Sequence, residues 1–70
     1  MAEVRAEMVA NVWKVVASEG DQVEEGDTLV ILESMKMEIP VLAEDPGTIT
    51  KMHVAEGDVV QEGDLIAIIG

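Results

Sequence analysis

The sequence predicts an all-β protein: a flattened β-barrel or sandwich of two four-stranded antiparallel sheets with internal pseudo-two-fold symmetry. Its apolar runs are short, rich in Val and Ile, and bounded by Gly-Asp pairs, a pattern typical of strands separated by turns. The second half of the chain repeats the first, as in folds assembled from equivalent units. No segment keeps apolar residues at helical spacing over three turns.

The repeat has an offset of 37 residues, and twelve of the 29 pairs between residues 4–32 and 41–69 are identical. The identities include the Gly-Asp pairs at 20–21 and 57–58 and those at 26–27 and 63–64. We interpret residues 1–70 as a single domain of two repeat halves, about 4–32 and 41–69, joined by a hairpin at 33–40. Four short strands cannot bury their apolar faces alone, so the halves should pack against each other.

The predicted strands follow the apolar runs of the two halves. In chain order they span residues 4–8, 12–17, 22–23, 28–32, 39–43, 48–54, 59–60 and 65–69. The last strand of each half is apolar on both faces, which predicts burial from both sides. A β-bulge is expected within residues 12–16, because the adjacent Val15 and Val16 break the alternation of a strand.

The turns follow from glycine, aspartate and proline. Gly20 and Gly57 stand where a chain reversal needs a positive φ, which glycine adopts without steric cost. The aspartate after each glycine can accept hydrogen bonds from nearby backbone N–H groups. Pro40 and Pro46 lack an N–H donor, so we expect them at a strand edge or in a turn.

Composition excludes several classes of function. Fifteen acidic residues against four basic ones give a net charge of −11, which would repel nucleic acid and anionic membranes. No apolar run approaches a membrane span, and the first residues lack a signal-peptide pattern, so we expect a cytoplasmic protein. A chain of 70 residues leaves little room for an enclosed substrate pocket, which argues against an enzyme. There is no cysteine, and His53 has no second metal-binding partner in the sequence, so we expect no metal site.

The centre of the chain, Glu33 to Pro40, has no counterpart in the repeat. Lys14 and Lys51 are repeat partners, whereas Lys36 is unpaired and should lie near the hairpin tip. Met35 and Met37 flank it. They could tuck into the end of the sandwich and leave Lys36 an ordinary surface charge, or they could form an adaptable recognition surface.

The segment Glu33-Ser34-Met35-Lys36-Met37 resembles the modification motif of the biotinyl/lipoyl attachment family, Glu-Ala/Ser-Met-Lys-Met. The paired Gly-Asp turns are also similar to that family, and the resemblance covers nearly the whole chain. It implies a minimal stand-alone biotinyl domain of the biotin carboxyl carrier protein type. Lys36 would carry biotin in amide linkage, flanked by Met35, Met37 and Glu33.

The resemblance also implies partners. A biotin protein ligase would attach biotin to Lys36, and the tethered biotin would shuttle CO2 between a biotin carboxylase and a carboxyltransferase. The acidic neighbours Glu33 and Glu38 favour the charged, unreactive ammonium. Activation of the lysine is therefore expected to fall to the ligase.

Two other functions stay open: a lipoyl carrier and an unmodified β-sandwich interaction module. The lipoyl branch typically has Asp-Lys-Ala at this position, from which Met35 and Met37 depart. Acyl carrier protein is disfavoured because it needs a helical pattern and an Asp-Ser-Leu motif. An EF-hand loop starting at Asp21 fails, because Val23 and Leu32 occupy ligand positions.

Overall fold

The structure, a computed structural model, describes residues 1–70 and contains eight strands and no helix. The strands are β1 (Ala2–Arg5), β2 (Ala10–Val15), β3 (Gln22–Val23), β4 (Thr28–Ser34), β5 (Met37–Leu42), β6 (Gly47–Met52), β7 (Val59–Val60) and β8 (Leu65–Ile69). They form two four-stranded antiparallel sheets, β1-β8-β6-β3 and β5-β4-β2-β7. We name these the terminal sheet and the hairpin sheet. The predicted fold class is confirmed.

The repeat is visible in the pairing of the strands. An offset of 37 residues maps β1 to β4 onto β5 to β8. The pair Ala2↔Ile69 in the terminal sheet thereby corresponds to Ile39↔Leu32 in the hairpin sheet. The two ends of the chain therefore meet at the place that corresponds to the hairpin joining β4 to β5.

The halves are joined by reciprocal backbone hydrogen bonds. The N–H of Ala6 donates to the carbonyl of Asp64 at 2.8 Å, and that of Ala43 donates to Asp27 at 2.8 Å. These two bonds are the same contact made once in each direction. Because buried or partly buried backbone groups must find partners, each half supplies acceptors that the other half needs.

The core lies between the sheets and consists of 14 buried residues, all of them apolar. The strands predicted to be buried on both sides are so: Leu29, Val30, Ile66 and Ala67 are each 0% exposed. Full burial of a Leu, Val or Ile side chain is worth roughly 1.5–3 kcal/mol. No buried side-chain nitrogen or oxygen lacks a hydrogen-bond partner. The core therefore holds the sheets together without internal polar groups.

The ends of the longer strands differ from the prediction. Strand β1 ends at Arg5 rather than at residue 8, β2 spans 10–15 rather than 12–17, and β6 spans 47–52 rather than 48–54. Past β2, the N–H groups of Val16 and Ala17 both donate to the carbonyl of Leu29 at 3.0 Å, so the regular ladder stops. At the end of β6, the N–H of Met52 donates to the Glu19 carboxylate at 3.0 Å. Apolar periodicity does not reveal a side chain that arrives from the other half.

The predicted bulge in the second strand is confirmed, but at another residue than the one that suggested it. The register between β2 and β4 shifts between Val12 and Lys14, which makes Trp13 the extra residue. The equivalent shift between β6 and β8 makes Thr50 the extra residue. The bulge is therefore a feature of the repeat, and Val15 remains paired beyond it.

The predicted turns are also confirmed. Gly20 and Gly57 have φ angles of 93° and 92°. Asp21 accepts a hydrogen bond from the N–H of Ser18 at 2.9 Å, and Asp58 makes the equivalent contact at 2.9 Å. Pro40 lies in the edge strand β5, and Pro46 lies in the connection from β5 to β6.

Candidate functional site

A two-residue turn, Met35-Lys36, joins β4 to β5 and closes at the pair Ser34↔Met37. Met35 and Lys36 have φ angles of 53° and 65° and are the non-glycine residues with positive φ in this chain. Positive φ at both central positions is characteristic of the type I′ turn, whose twist matches that of a β-hairpin. The left-handed conformation costs a non-glycine residue roughly 1–2 kcal/mol. The paired strands β4 and β5 hold the turn in this conformation.

Lys36 is exposed at the tip of this hairpin. Its ammonium forms neither a salt bridge nor a side-chain hydrogen bond. The one salt bridge of the structure joins Arg5 to Glu3. The other two lysines, Lys14 and Lys51, lie within β2 and β6. Lys36 is thus the one lysine placed on a protruding turn, as the repeat predicted.

Met35 and Met37 are 90% and 61% exposed. The interpretation in which both methionines tuck into the end of the sandwich is therefore wrong. An exposed methionine contributes little to the stability of the fold, whereas its flexible and polarizable side chain adapts well to a partner surface. The lysine is flanked by apolar contact area on both sides.

Glu33 and Glu38 lie directly opposite each other on β4 and β5. Asn11 of β2 is the neighbour of Glu33 on the other side. Like charges at directly opposed positions destabilise an antiparallel pair, and neither glutamate has a salt bridge in the structure. The hairpin tip therefore carries an uncompensated acidic pair next to Lys36.

No other part of the molecule forms a comparable chemical centre. No group of three or more His, Cys, Asp or Glu side chains is arranged to hold a metal ion. A cavity of about 620 Å³ is an open groove between the edge strands β1 and β5, floored by side chains such as Leu32 and Ile69. The chain also has no helix long and apolar enough to cross a membrane.

The biotin/lipoyl family model, described as "Biotin-requiring enzyme", matches residues 2–69. The chain belongs to this family. The match takes in all eight strands and the hairpin turn. Both the family match and the two-sheet architecture agree with the biotinyl attachment fold that the sequence predicts.

Two curated relatives are similar to this chain. The biotinylated protein TB7.3 homolog of Mycolicibacterium smegmatis is 77% identical over 44 residues, 61% of this chain and 62% of the relative. The homolog of Mycobacterium leprae is 67% identical over 51 residues, 71% of this chain and 72% of the relative. The match with the first of them thus spans less than two thirds of that protein.

A solved structure resembles the whole chain. The crystal structure of Kluyveromyces lactis urea carboxylase matches with a TM-score of 0.92 and 40% sequence identity, covering 99% of this chain and 6% of the carboxylase chain. This family member therefore has the fold of a small part of a much larger carboxylase. Together with the biotinylated relatives, the match supports a biotin carrier domain with covalently bound biotin, which is a non-catalytic role.

Sequence reasoning did not foresee the conformation of the turn. A type I′ turn is usually signalled by Asn-Gly or Asp-Gly, and Met35-Lys36 carries no such signal. What located the turn was the midpoint of the repeat. The left-handed conformation of both residues became evident only in the structure.

Proposed function

We propose that Lys36 is the attachment point, that a biotin protein ligase modifies it, and that the tethered biotin shuttles CO2 between the active sites of a carboxylase. The observation that carries this proposal is the placement of one exposed lysine on a two-residue turn, framed by exposed Met35 and Met37. Lys14 and Lys51 lie within strands. Their extended backbone lacks the protrusion that an enzyme active site could enclose.

The proposed reaction requires only one chemical group of this chain, the Lys36 amine. The Lys36 amine attacks the carbonyl of an activated biotinyl group, the C–N bond of an amide forms, and the activating group leaves. The Lys36 ammonium loses one proton before the attack and a second as the amide forms, and no base of this chain forms a salt bridge with it. The ligase therefore supplies the base as well as the activated biotin. Biotin, when bound, supplies the ureido nitrogen that takes up and releases CO2.

The proposed partners after modification are the biotin carboxylase and carboxyltransferase components of a biotin-dependent enzyme. The resemblance to a 6% portion of a urea carboxylase supports a place beside such components. A tethered group meets each active site at an effective concentration set by the geometry of its attachment. A rigid hairpin of paired strands suits that task, because it fixes the base of the arm while the lysine side chain stays mobile.

We also propose that residues 1–70 form one independently folding attachment domain that works in the cytoplasm. A shared apolar core and reciprocal hydrogen bonds between the halves support the single folding unit. A single cooperative thermal transition of the isolated chain is expected. Two separate transitions would contradict this part of the proposal.

The attachment site is tested by co-expression with a biotin protein ligase, followed by intact-mass measurement and a streptavidin blot. The wild-type chain should gain the mass of one biotinyl group, and Lys36→Arg should gain none. The double variant Lys14→Arg with Lys51→Arg is the matched control, because it removes both lysines of the repeat and should be modified like the wild type. Biotin retained by Lys36→Arg would overturn the assignment.

Intact-mass measurement of two further samples separates the other functions. A wild-type chain that gains lipoyl rather than biotinyl mass in the presence of both ligases would indicate a lipoyl carrier. A chain isolated from its native cells without any added mass would indicate an unmodified interaction module. Either outcome would contradict the biotin carrier proposal.

A further inference from the structure

The two sheets share one backbone plan, so their outward-facing positions can be compared residue by residue. At the core-facing positions the sheets agree: Val12 and its counterpart Ile49 are 2% and 1% exposed, and Val23 and Val60 are 6% and 2% exposed. The same folding requirements thus act on both sheets. A consistent difference between their outer faces must come from something other than the core.

The outer face of the hairpin sheet is apolar where that of the terminal sheet is polar. Four apolar residues and their counterparts at an offset of 37 differ in this way: Trp13 against Thr50, Pro40 against Glu3, Leu42 against Arg5, and Val59 against Gln22. Trp13, Leu42 and Val59 are 47%, 44% and 64% exposed. At these four positions water therefore contacts apolar side chains in the hairpin sheet and polar side chains in the terminal sheet.

The polar counterparts make their own contacts within the terminal sheet. Arg5 forms a salt bridge with Glu3 at 2.8 Å, and the hydroxyl of Thr50 donates to the carbonyl of Ile68 at 3.3 Å. Trp13 occupies the same bulge position as Thr50, so the bulge does not require an aromatic side chain. The apolar residues of the hairpin sheet are thus not demanded by the local backbone.

This apolar surface lies close to the lysine turn. On β5, Glu38 and Pro40 lie two and four residues beyond Lys36, or about 7 and 13 Å at the rise of an extended strand. Pro40 is paired with Ile31, and Ile31 with Lys14 beside the Trp13 bulge. Pro40 and Ile31 are therefore followed across the sheet by Lys14 and the adjacent Trp13. The acidic pair Glu33 and Glu38 lies between these residues and the turn.

We propose that this surface, formed by Trp13, Ile31, Pro40, Leu42 and Val59 and called here the hairpin-sheet outer face, is the docking surface for the biotin protein ligase. The inference rests on the proposed function. A stable interface covers about 800 Å² of each partner, a patch about 30 Å across. An enzyme that encloses the turn covers the hairpin-sheet outer face at the same time.

The ligase is the occupant because it must act on the unmodified lysine. Its active site has to reach an amine on a short side chain, so its protein surface must contact the carrier close to the turn. Attached biotin lengthens the arm, which lets carboxylase active sites be reached from farther away. The net charge of −11 and the acidic pair favour a ligase face whose apolar patch is bordered by basic side chains. They disfavour a second copy of this chain.

The test is steady-state biotinylation by a purified biotin protein ligase. The docking variant, Trp13→Thr with Val59→Gln, replaces each residue by the polar residue found at its counterpart, Thr50 or Gln22. The control, Thr50→Ala with Gln22→Ala, alters the corresponding positions of the terminal sheet. Loss of a central aromatic contact lowers kcat/KM about 30-fold. The loss should lie in KM with kcat kept, because the turn and the lysine are unchanged, and the control should match the wild type.

Thermal melts establish that both variants are folded, and Val59→Gln alone serves if the double variant is not. A docking variant modified with the wild-type kcat/KM would overturn the proposal, as would an equal loss in both variants. Normal biotinylation followed by a defect with biotin carboxylase would also overturn it, and would assign the surface to the carboxylase. A wild-type chain that gains no biotin would instead refute the proposed function itself.

Discussion

Met35 and Lys36 are consecutive residues in the left-handed conformation, with φ angles of 53° and 65°, and together they form the whole connection between β4 and β5. The chain accepts this conformational cost at the one place where its proposed chemistry occurs. Strained backbone is common where a side chain must be held in a defined direction. The turn fixes the base of the Lys36 side chain and leaves its ammonium free.

Met35→Asn is expected to stabilise the protein. Asparagine tolerates the left-handed region better than methionine, so relief of part of the backbone cost should add about 0.5–1 kcal/mol to the free energy of unfolding. Denaturant unfolding of the unmodified chain measures the change. Met37→Asn is the matched control, because Met37 lies in β5 without a positive φ and should bring no gain.

The double variant Met35→Ala with Met37→Ala is expected to keep the stability of the wild type to within about 0.5 kcal/mol, since exposed side chains contribute little to folding. Met35 and Met37 are 90% and 61% exposed. Leu32→Ala, two residues before Ser34 on the same hairpin and 2% exposed, should cost about 2–5 kcal/mol. Thermal and denaturant melts compare the three. A loss near that of Leu32→Ala in the double variant would show that the methionines belong to the core.

Asp27→Ala and Asp64→Ala are expected to destabilise the protein equally. The carboxylate of Asp27 accepts a hydrogen bond from the N–H of Glu24 at 2.9 Å, and that of Asp64 accepts one from Gln61 at 2.8 Å. Loss of either bond should cost about 1 kcal/mol. Asp45→Ala is the control, because this exposed carboxylate has no hydrogen bond in the structure. Unequal losses at positions 27 and 64 would contradict the energetic equivalence of the halves.

Gly47→Ala is expected to be more harmful than Gly20→Ala. A Cβ at residue 47 would lie 2.6 Å from the carbonyl oxygen of Gly70 and 2.7 Å from the Ile69 side chain. Relief of such a clash requires the strands to move apart, at a cost of about 1–3 kcal/mol or more. A Cβ at Gly20 meets nothing within 4 Å, and there only the φ of 93° is unfavourable. Equal melting midpoints for the two variants would show that β6 and the chain end can separate freely.

Much of the site could be predicted because the repeat gives the other two lysines a structural counterpart. Once Lys14 and Lys51 are paired by the offset of 37, Lys36 remains as the lysine without a structural counterpart. The Gly-Asp turns were equally accessible, because glycine at positive φ and an aspartate that bonds to its own turn are local features. The structure confirms the positive φ predicted for Gly20 and Gly57.

The ends of the strands could not be read in the same way. Met52 and Val15 donate their N–H groups to the carboxylates of Glu19 and Glu56, at 3.0 and 3.5 Å. These partners are 33 and 41 residues away in the chain. Neither apolar period nor local propensity contains information about such an acceptor, so the predicted β2 and β6 each ran on by two residues.

By itself, the sequence determined the fold class, the pseudo-symmetry and the place of Lys36, because strand periodicity, turn chemistry and self-similarity are properties of neighbouring residues and of a constant offset. Only the tertiary structure decided that Met35 is exposed and left-handed, and that Trp13 lies in the same sheet as the Lys36 hairpin. Both depend on which strands meet. That pairing is set by contacts between distant segments, and no local pattern contains it.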